Sequence, residues 1–295
     1  MNADEARAVR LISAGGQVLR IHVRAGDPRH TPLLLVNGVG AAFESFDPLV
    51  DAVHPDRPVI RFDPPGVGGS PVPTRPYRLP GLARSMLALL DVLGIERVDV
   101  LGVSWGGGVA QQFAWTARDR CRRVVLVATG TGTLMVPARP RVLARMATPR
   151  RYTDPDFLRR VAPEIYGGIA RHDPDTPARL LHTPSRAGSH RGYAFQLLAA
   201  AGWTSIGFLP FLRQPTLVMT GDDDPLIPTV NGHLLTALIP HAQLHVYPGG
   251  HLELIARPER LAPLIEEFLN ATAPTLPIVG KQDQRLHHQP PHSGT

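Results

Sequence analysis

The sequence contains a single cysteine, Cys121, and a single lysine, Lys281. One cysteine excludes an internal disulfide and a cysteine-rich zinc site, and such scarcity is typical of a reducing compartment. The formal net charge of +6 therefore comes almost entirely from arginine. The arginines are scattered and no nucleic-acid-binding motif accompanies them, so we predict no nucleic-acid partner. Their charge leaves an anionic surface as a candidate partner.

Long apolar runs are also missing. The longest are short pieces such as residues 33–36 and 124–128, whereas a transmembrane helix needs about 18 or more apolar residues. The first ten residues are charged and lack the apolar region of a secretory signal. We therefore predict no transmembrane segment and a cytoplasmic protein. Hydrophobic residues make up 43% of the chain and charged residues 19%, which is typical of a globular protein.

Short apolar runs alternate with helical patterns along most of the chain. This alternation predicts an α/β fold in which a mostly parallel sheet is covered by helices. The predicted strands are residues 18–23, 32–36, 58–63, 98–103, 123–128, 215–220 and 243–247. The predicted helices are residues 43–53, 80–93, 106–118, 229–238 and 258–270.

The alternation stops between residues 133 and 210, a proline-rich stretch with several short helical patterns and no convincing strand. A stretch of this length is too long for a plain loop. We predict that residues 133–210 form an inserted helical cap, and that residues 1–132 and 211–272 form the α/β core. Residues 273–295 lack periodicity and are predicted to be a disordered tail.

The strongest chemical signal is a G-x-S-x-G motif at residues 102–106, directly after one predicted strand and at the start of a predicted helix. A serine on such a sharp turn projects its oxygen above the sheet, and the glycines avoid clashes with the neighbouring strand and helix. The helix N-terminus adds a positive dipole towards a developing oxyanion. The motif predicts Ser104 as a nucleophile; a glycine-rich turn with a capping serine is the alternative.

A nucleophilic serine needs a base and a group that orients the base, and in this architecture the acid and then the base follow the serine. Aspartates 222–224 follow the predicted strand 215–220, and His251 follows the strand 243–247. Both positions lie at the strand ends that share a sheet edge with Ser104. We predict His251 as the base and one of the three aspartates as its partner, a choice that the residues alone leave open.

An oxyanion hole requires two backbone N–H groups. We expect one from Trp105, the residue after the nucleophile, and one from Val39, in the glycine-containing loop after an early strand. An ordinary strand-to-helix loop is the alternative for residues 36–40. The glycine-rich residues 63–71 lack the spacing of a nucleotide-binding motif, and no metal-binding pattern is present. We therefore predict no cofactor and no metal.

These residues resemble the α/β-hydrolase superfamily and, within it, the intracellular depolymerases of medium-chain-length polyhydroxyalkanoates. The resemblance spans roughly residues 32–270 and includes segments of the cap. The matching stretches are VNGVG from Val36, FDPPGVGGSP from Phe62, GVSWGGG from Gly102, AQQFA from Ala110, PRRY from Pro149, IYGG from Ile165, GWTSI from Gly202, GDDDPLIP from Gly221 and AQLH from Ala242.

The resemblance implies an α/β-hydrolase fold with Ser104 as nucleophile, His251 as base and Asp224 as acid. Serine stands where the related polymer synthases have cysteine, which favours hydrolysis over polymerisation. Glu253, two residues past the base, departs from the apolar or aromatic residue expected there, and this bears on the acyl pocket.

The function so implied is hydrolysis of medium-chain-length poly(3-hydroxyalkanoate) to 3-hydroxyacids or oligomers by a cytoplasmic, granule-associated enzyme. Its partner would be a hydrophobic polyester granule. If the surface of that granule is anionic, it would attract the arginines of the cap. Among the cap aromatics we expect Trp203, Tyr166 and Phe208 to bind substrate. The alternatives are a small-ester carboxylesterase, a carbon–carbon bond hydrolase or lactonase of the same fold, and a non-catalytic granule-associated protein.

Overall fold

An eight-stranded mixed sheet organises the residues that this computed structural model describes, 9–148, 150–181 and 189–272. The strands are β1 (Arg10–Ala14), β2 (Gln17–Arg24), β3 (Leu33–Val36), β4 (Val59–Asp63), β5 (Val98–Val103), β6 (Cys121–Val127), β7 (Thr216–Gly221) and β8 (Ala242–Tyr247). Their spatial order is β1-β2-β4-β3-β5-β6-β7-β8. Only β1–β2 and β2–β4 pair antiparallel among these strands, so the predicted mostly parallel sheet is confirmed.

Strand β1 was not predicted from the sequence. It is an edge strand that pairs with β2 alone, and its side chains are mostly half-buried or exposed, with Leu11 58% exposed. The apolar alternation that identifies a buried strand is therefore weak there. Gly15 and Gly16 connect β1 to β2 with φ values of 55° and 77°. Two successive positive φ angles are the geometry that a tight hairpin turn requires.

Helices cover both faces of the sheet. Those outside the predicted cap are α1 (Asp47–Ala52), α2 (Leu79–Val92), α3 (Trp105–Thr116), α9 (Val230–Leu238), α10 (Glu253–Ala256) and α11 (Pro258–Asn270). Between β6 and β7 lie α4 (Pro140–Met146), α5 (Arg150–Thr153), α6 (Pro155–Tyr166), α7 (Asp175–Leu181) and α8 (His190–Ala200). Among the described residues, none of these helices has the length and apolarity to cross a bilayer.

The central strands are buried on both faces, which explains their continuous apolar runs. In β3, Leu33 and Leu35 belong to one hydrophobic cluster, which includes residues of α1, α6 and α11. Leu34 and Val36 belong to a second cluster, which includes residues of α2, α3 and α9. Successive side chains of a strand point to opposite faces, so each such strand needs apolar residues at every position.

Residues 133–210 are called the cap segment below. The described part of this segment contains no strand. An isolated β-bridge joins Thr204, within the segment, to Gly132, just before it. Asp154 caps the N-terminus of α6, and its side chain accepts a hydrogen bond from the Phe157 amide at 2.8 Å. The apolar residues of α6, including Phe157 and Leu158, join the same hydrophobic cluster as β3. The boundaries of the cap as a separate domain remain a prediction, and the predicted tail, residues 273–295, lies outside the described residues.

Candidate active site

Ser104 occupies the sharp turn between β5 and α3, with φ 55° and ψ −121°. A positive φ at a residue other than glycine is strained, so the surrounding structure has to hold it. The Ser104 amide donates to the Val127 carbonyl oxygen at 2.9 Å, and the Thr129 hydroxyl donates to the Ser104 carbonyl oxygen at 2.7 Å. Strand β6 and the residues after it therefore fix the turn.

The glycines of the motif are required by close packing. A Cβ atom at Gly102 would overlap the Gly106 carbonyl, and a Cβ atom at Gly106 would overlap the Val36 carbonyl of β3. Backbone atoms cannot move aside as a flexible side chain can. The spacing of the motif therefore follows from the contact of α3 with β5 and β3.

The three aspartates after β7 have three different partners. Asp224 is 6% exposed, and its Oδ2 lies 2.8 Å from His251 Nδ1. The Asp222 carboxylate accepts from the Gly249 amide at 3.0 Å. Asp223 accepts from Arg171 Nε and Nη2 at 2.7 and 2.8 Å, and this hydrogen bonding lowers the pKa of the Asp223 carboxyl. Only Asp224 of the three is brought to His251.

Asp224 is itself held in one orientation. Its second oxygen, Oδ1, accepts from the backbone amides of Leu226 and Ile227, each at 2.9 Å. The carboxylate therefore presents Oδ2 to the imidazole and satisfies two amides with Oδ1. Such a carboxylate is well placed to hold a proton on Nδ1 of His251, which leaves Nε2 as the basic nitrogen.

His251 is 4% exposed and is held by the end of α6. Its amide donates to the Tyr166 carbonyl oxygen at 2.8 Å, and the two rings stack with centroids 6.1 Å apart. His251 and Ser104 line the same small cavity, of about 30 Å³, which is called the small chamber below. Tyr166, a predicted substrate contact, lines this cavity as well.

A second and larger cavity, called the apolar cleft below, also reaches Ser104. Its volume is about 350 Å³, and its lining is mostly apolar. Residues of the core and of the cap segment contribute to it, including Trp105, Met135, Leu143, Leu197, Trp203 and Ile227. Trp203, another predicted substrate contact, is anchored by a 2.8 Å hydrogen bond from its indole Nε1 to Gln112 Oε1. Ser104 therefore lies where a small chamber and an apolar cleft meet.

Phe208, the third predicted substrate contact, packs among other aromatic rings. Its ring stacks on Trp115 with centroids 5.2 Å apart, and it packs against Trp203 at 6.3 Å. Phe208 is not among the described residues that line either cavity at Ser104. Its aromatic character reflects packing behind Trp203, which composition alone does not distinguish from a place in the pocket.

The predicted oxyanion donors flank Ser104. Trp105 is the first residue of α3, so its amide is one of those that a helix leaves without an intrahelical acceptor. Val39 lines the small chamber with Ser104, and its amide has no acceptor among the described residues. The Val39 carbonyl oxygen, in contrast, accepts from the Tyr152 hydroxyl at 2.6 Å and from Arg151 Nη2 at 3.2 Å.

Arg151 is buried, unlike the exposed arginines around it in the cap segment. Arg151 is 1% exposed and lines the small chamber. In the sequence it stands among charged neighbours and no periodicity marks it as buried; its place in the PRRY stretch was the only other signal. Arg141 and Arg150 are exposed but paired, with Glu164 and Asp154 respectively.

Glu253, the departure from the family pattern, does not face the substrate cavities. The side chain is buried, and its Oε1 accepts from Arg260 Nη1 at 2.8 Å, with Arg257 Nη1 3.6 Å away. Burial raises the pKa of the Glu253 carboxyl against the effect of these arginines. Glu253 is not among the described residues that line either cavity at Ser104, so its charge does not enter the pocket.

The largest groove near the site is lined by charged residues. Ser104 is not among the described residues that line it. The groove has a volume of about 660 Å³ and is lined by Arg139, Arg141, Arg171 and the aspartates 222–224, among others. In the described part of the chain, no group of three or more histidine, cysteine, aspartate or glutamate side chains is arranged to hold a metal ion.

Comparison with known proteins agrees with this geometry. Residues 31–258 match the sequence pattern of the family described as alpha/beta hydrolase fold. A poly(3-hydroxyalkanoate) depolymerase of Ectopseudomonas oleovorans is 51% identical over 260 residues, which cover 88% of this chain and 92% of that protein. A 2-hydroxymuconate semialdehyde hydrolase of Pseudomonas putida is 31% identical over 252 residues, which cover 81% of this chain and 86% of that protein.

Solved structures share the architecture. An enol-lactonase from Burkholderia xenovorans LB400 superposes with a TM-score of 0.77 at 23% identity, covering 89% of this chain and 100% of that one. A hydrolase from Pseudomonas aeruginosa PA01 superposes with a TM-score of 0.76 at 26% identity, covering 92% and 100%. At 23% identity the enol-lactonase is informative about the fold alone.

Proposed function

Because the chain belongs to the alpha/beta hydrolase fold family, as its sequence resemblance implied, we propose that it is a serine hydrolase of carboxylic esters that depolymerises medium-chain-length poly(3-hydroxyalkanoate). The observation that carries this proposal is the meeting of an oriented Asp224–His251 pair, Ser104 and a large apolar cleft at one point. The 51% identity to a poly(3-hydroxyalkanoate) depolymerase supports the polymer as substrate.

The reaction proceeds in two halves. In the first, His251 Nε2 takes the proton of Ser104 as its oxygen attacks an ester carbonyl carbon, and Asp224 stabilises the imidazolium that forms. The Trp105 and Val39 amides donate to the resulting oxyanion. When this intermediate collapses, the bond to the alcohol oxygen breaks, and His251 returns the proton to the departing hydroxyl end of the polymer.

In the second half, a water molecule hydrolyses the acyl-enzyme. His251 removes one proton from the water as its oxygen attacks the acyl carbon, and the same amides stabilise the second oxyanion. On collapse, the bond between the acyl carbon and the Ser104 oxygen breaks and His251 returns its proton to that oxygen. The product is a carboxylic acid whose third carbon carries oxygen. The products are 3-hydroxyacids or short oligomers, and neither half of the reaction requires a cofactor.

The apolar cleft supplies a basis for chain-length preference. Each buried methylene contributes about 0.8 kcal/mol, so a pentyl side chain, with four more methylenes than methyl, gains roughly 3 kcal/mol, or over a hundredfold. The cleft volume of about 350 Å³ and its lining by Leu143, Leu197 and Trp203 are suited to such a side chain. We therefore expect a preference for polymers with medium-length side chains.

Apolar side chains also surround the mouth of this cleft. Leu143 and Leu197 line the cleft and are 41% and 38% exposed. Leu134 and Leu198, which adjoin the lining residues Met135 and Leu197 in sequence, are 61% and 50% exposed. Exposed apolar clusters of this kind mark surfaces that bind apolar partners. We propose that this rim rests on the polyester granule, and that the protein is cytoplasmic and granule-associated. Because many cap arginines are already paired, attraction to an anionic surface is the weaker part of this docking.

The experiment that tests the proposal compares latexes of poly(3-hydroxyoctanoate) and poly(3-hydroxybutyrate) at equal surface area, with released acid measured. We expect faster hydrolysis of the octanoate polymer and none by the Ser104→Ala variant. Hydrolysis of short nitrophenyl esters without polymer hydrolysis would favour the small-ester carboxylesterase. Enol-lactone and semialdehyde substrates test the remaining enzymes of this fold. If a fluorophosphonate fails to label Ser104, the protein is non-catalytic.

A further inference from the structure

The Val39–Gly40 peptide is held on both sides by the cap segment. Its carbonyl oxygen accepts from Tyr152 and Arg151 of α5, at 2.6 and 3.2 Å. Its N–H, on Gly40, donates to Gln196 Oε1 of α8 at 2.6 Å. Both polar groups of one peptide in the core are therefore bound by helices more than 100 residues away in sequence. We call these three side chains the peptide clamp.

Gln196 also contacts the second predicted oxyanion residue. Its backbone carbonyl oxygen accepts from the Trp105 indole Nε1 at 3.0 Å. Gln196 is fully buried, and its side-chain nitrogen has no partner among the described residues. One residue of α8 therefore binds both the loop that carries Val39 and the residue that follows Ser104.

The packing around Gly40 makes the arrangement specific. Gly40 has a φ of 78°, and a Cβ atom there would collide with the rings of Tyr152 and Tyr193. The two tyrosines pack against this loop directly, so even a small side chain would displace α5 and α8. The loop and the cap helices are therefore built as complementary surfaces.

Arg151 fixes the clamp by binding several oxygens. It donates from Nη1 to the Tyr193 hydroxyl at 2.8 Å and to the Met146 carbonyl oxygen at 3.3 Å, in addition to its bond to Val39. Its guanidinium carbon also lies 4.6 Å from the centroid of the Tyr152 ring. No carboxylate among the described residues lies within ion-pair distance of this buried cation. It joins α4, α5 and α8 to the Val39 carbonyl.

We propose that Tyr152, Arg151 and Gln196 are positioning residues that align the Val39 amide for the oxyanion. The proposal rests on the proposed function, because it assumes that the Val39 amide binds the oxyanion. The Val39 N–H belongs to the preceding Gly38–Val39 peptide, so the clamp acts on it by fixing the position of the loop that carries Val39. Since the contacts come from α5 and α8, a movement of these two helices away from the loop would release the Val39–Gly40 peptide. The oxyanion donor is therefore aligned only while these helices are seated.

The expected effect is a loss of turnover with little change in substrate binding. Removing one oxyanion donor lowers the rate by about 10²–10³, and a misplacement of about 1 Å costs as much as 10². We expect Gln196→Leu to lower kcat on a soluble nitrophenyl octanoate by roughly 10–100-fold with KM within about threefold. Tyr152→Phe, which removes one hydroxyl, should lower kcat by roughly 10-fold.

Three comparisons separate positioning from a general structural role. A trifluoromethyl ketone, which forms an oxyanion on the serine, should bind Gln196→Leu more weakly by the factor lost in kcat. Gln196→Glu, which keeps an acceptor for the Gly40 amide, should recover most of the turnover. The control is Tyr77→Phe, because the buried Tyr77 hydroxyl has no partner among the described residues and Tyr77 lies outside both cavities. This control should leave kcat unchanged.

Hydrogen exchange tests the clamp without activity. The Gly40 amide should exchange faster in Gln196→Leu than in the wild type, measured on peptides that cover residues 37–46. Unchanged exchange would overturn the clamp. Faster exchange with unchanged kcat and unchanged ketone affinity would overturn its link to the oxyanion. If Ser104→Ala retains full esterase activity, the proposed function fails and the link to catalysis fails with it, whereas the exchange comparison still decides whether the clamp exists.

Discussion

Replacement of Asp224 by asparagine offers a sharp test of the site, because the structure determines how the new amide would orient. Asparagine has one oxygen acceptor and one nitrogen donor where aspartate has two acceptors. At this position Oδ1 accepts from two backbone amides, of Leu226 and Ile227, and Oδ2 faces His251 Nδ1. The single oxygen of the new side chain is required by two N–H groups, so its NH₂ group would turn towards the imidazole.

That orientation selects the wrong tautomer of His251. An NH₂ donor facing Nδ1 favours an imidazole with its proton on Nε2, and such a ring cannot accept the proton of Ser104. In the analogous triad this change lowers turnover by on the order of 10⁴. We expect a similar loss in kcat for Asp224→Asn. Its thermal stability should stay close to that of the wild type, because the hydrogen bonds from the Leu226 and Ile227 amides persist.

The neighbouring aspartates provide matched controls. Asp222 accepts a single hydrogen bond, from the Gly249 amide, and an asparagine oxygen can replace that acceptor. Asp223 faces Arg171 and the Gly168 amide instead of His251. We expect Asp222→Asn and Asp223→Asn to keep kcat within about tenfold, measured on nitrophenyl octanoate with active sites counted by fluorophosphonate labelling. Equal losses in all three variants would refute the assignment of Asp224.

The remaining predictions concern the turn, the cleft and the cap contact. Gly106→Ala should strongly lower the midpoint of thermal unfolding, because its Cβ atom would overlap a carbonyl of β3; an unchanged midpoint would contradict the packing argument. Trp203→Ala should lower the octanoate-to-butyrate ratio of kcat/KM for nitrophenyl esters several-fold, because the lost contact corresponds to at least about one buried methylene. Phe208→Ala should leave this ratio unchanged. Hydrogen bonding from Arg171 lowers the pKa of Asp223, so this carboxylate stabilises the fold above its unfolded pKa, and that contribution is lost as the pH falls through the folded pKa. The difference in melting temperature between wild type and Asp223→Asn should therefore shrink towards pH 3, and a constant difference would refute it.

The architecture was largely predictable because its signals are local. The central strands carry continuous apolar runs since both faces are buried, and α2 shows helical spacing of Leu82, Met86 and Leu89, all of which are buried in one cluster. The G-x-S-x-G spacing likewise follows from contacts within a strand–turn–helix unit and its neighbouring strand. In contrast, β1 escaped prediction because an exposed edge strand has little apolar alternation to detect.

The site needed contacts that no local pattern encodes. Three adjacent aspartates are equivalent in their local pattern. The family resemblance implied Asp224, and the physical distinction is the approach of His251, 27 positions further on. Arg151 looked like its exposed neighbours until the fold brought Val39 to it across 112 positions. Phe208 and Trp203 share aromatic character, yet one packs behind the other. Periodicity and turn chemistry, which act between near neighbours, were therefore determined by the sequence itself, whereas tertiary packing decided which side chains reach Ser104, because chain position does not fix distance in a folded protein.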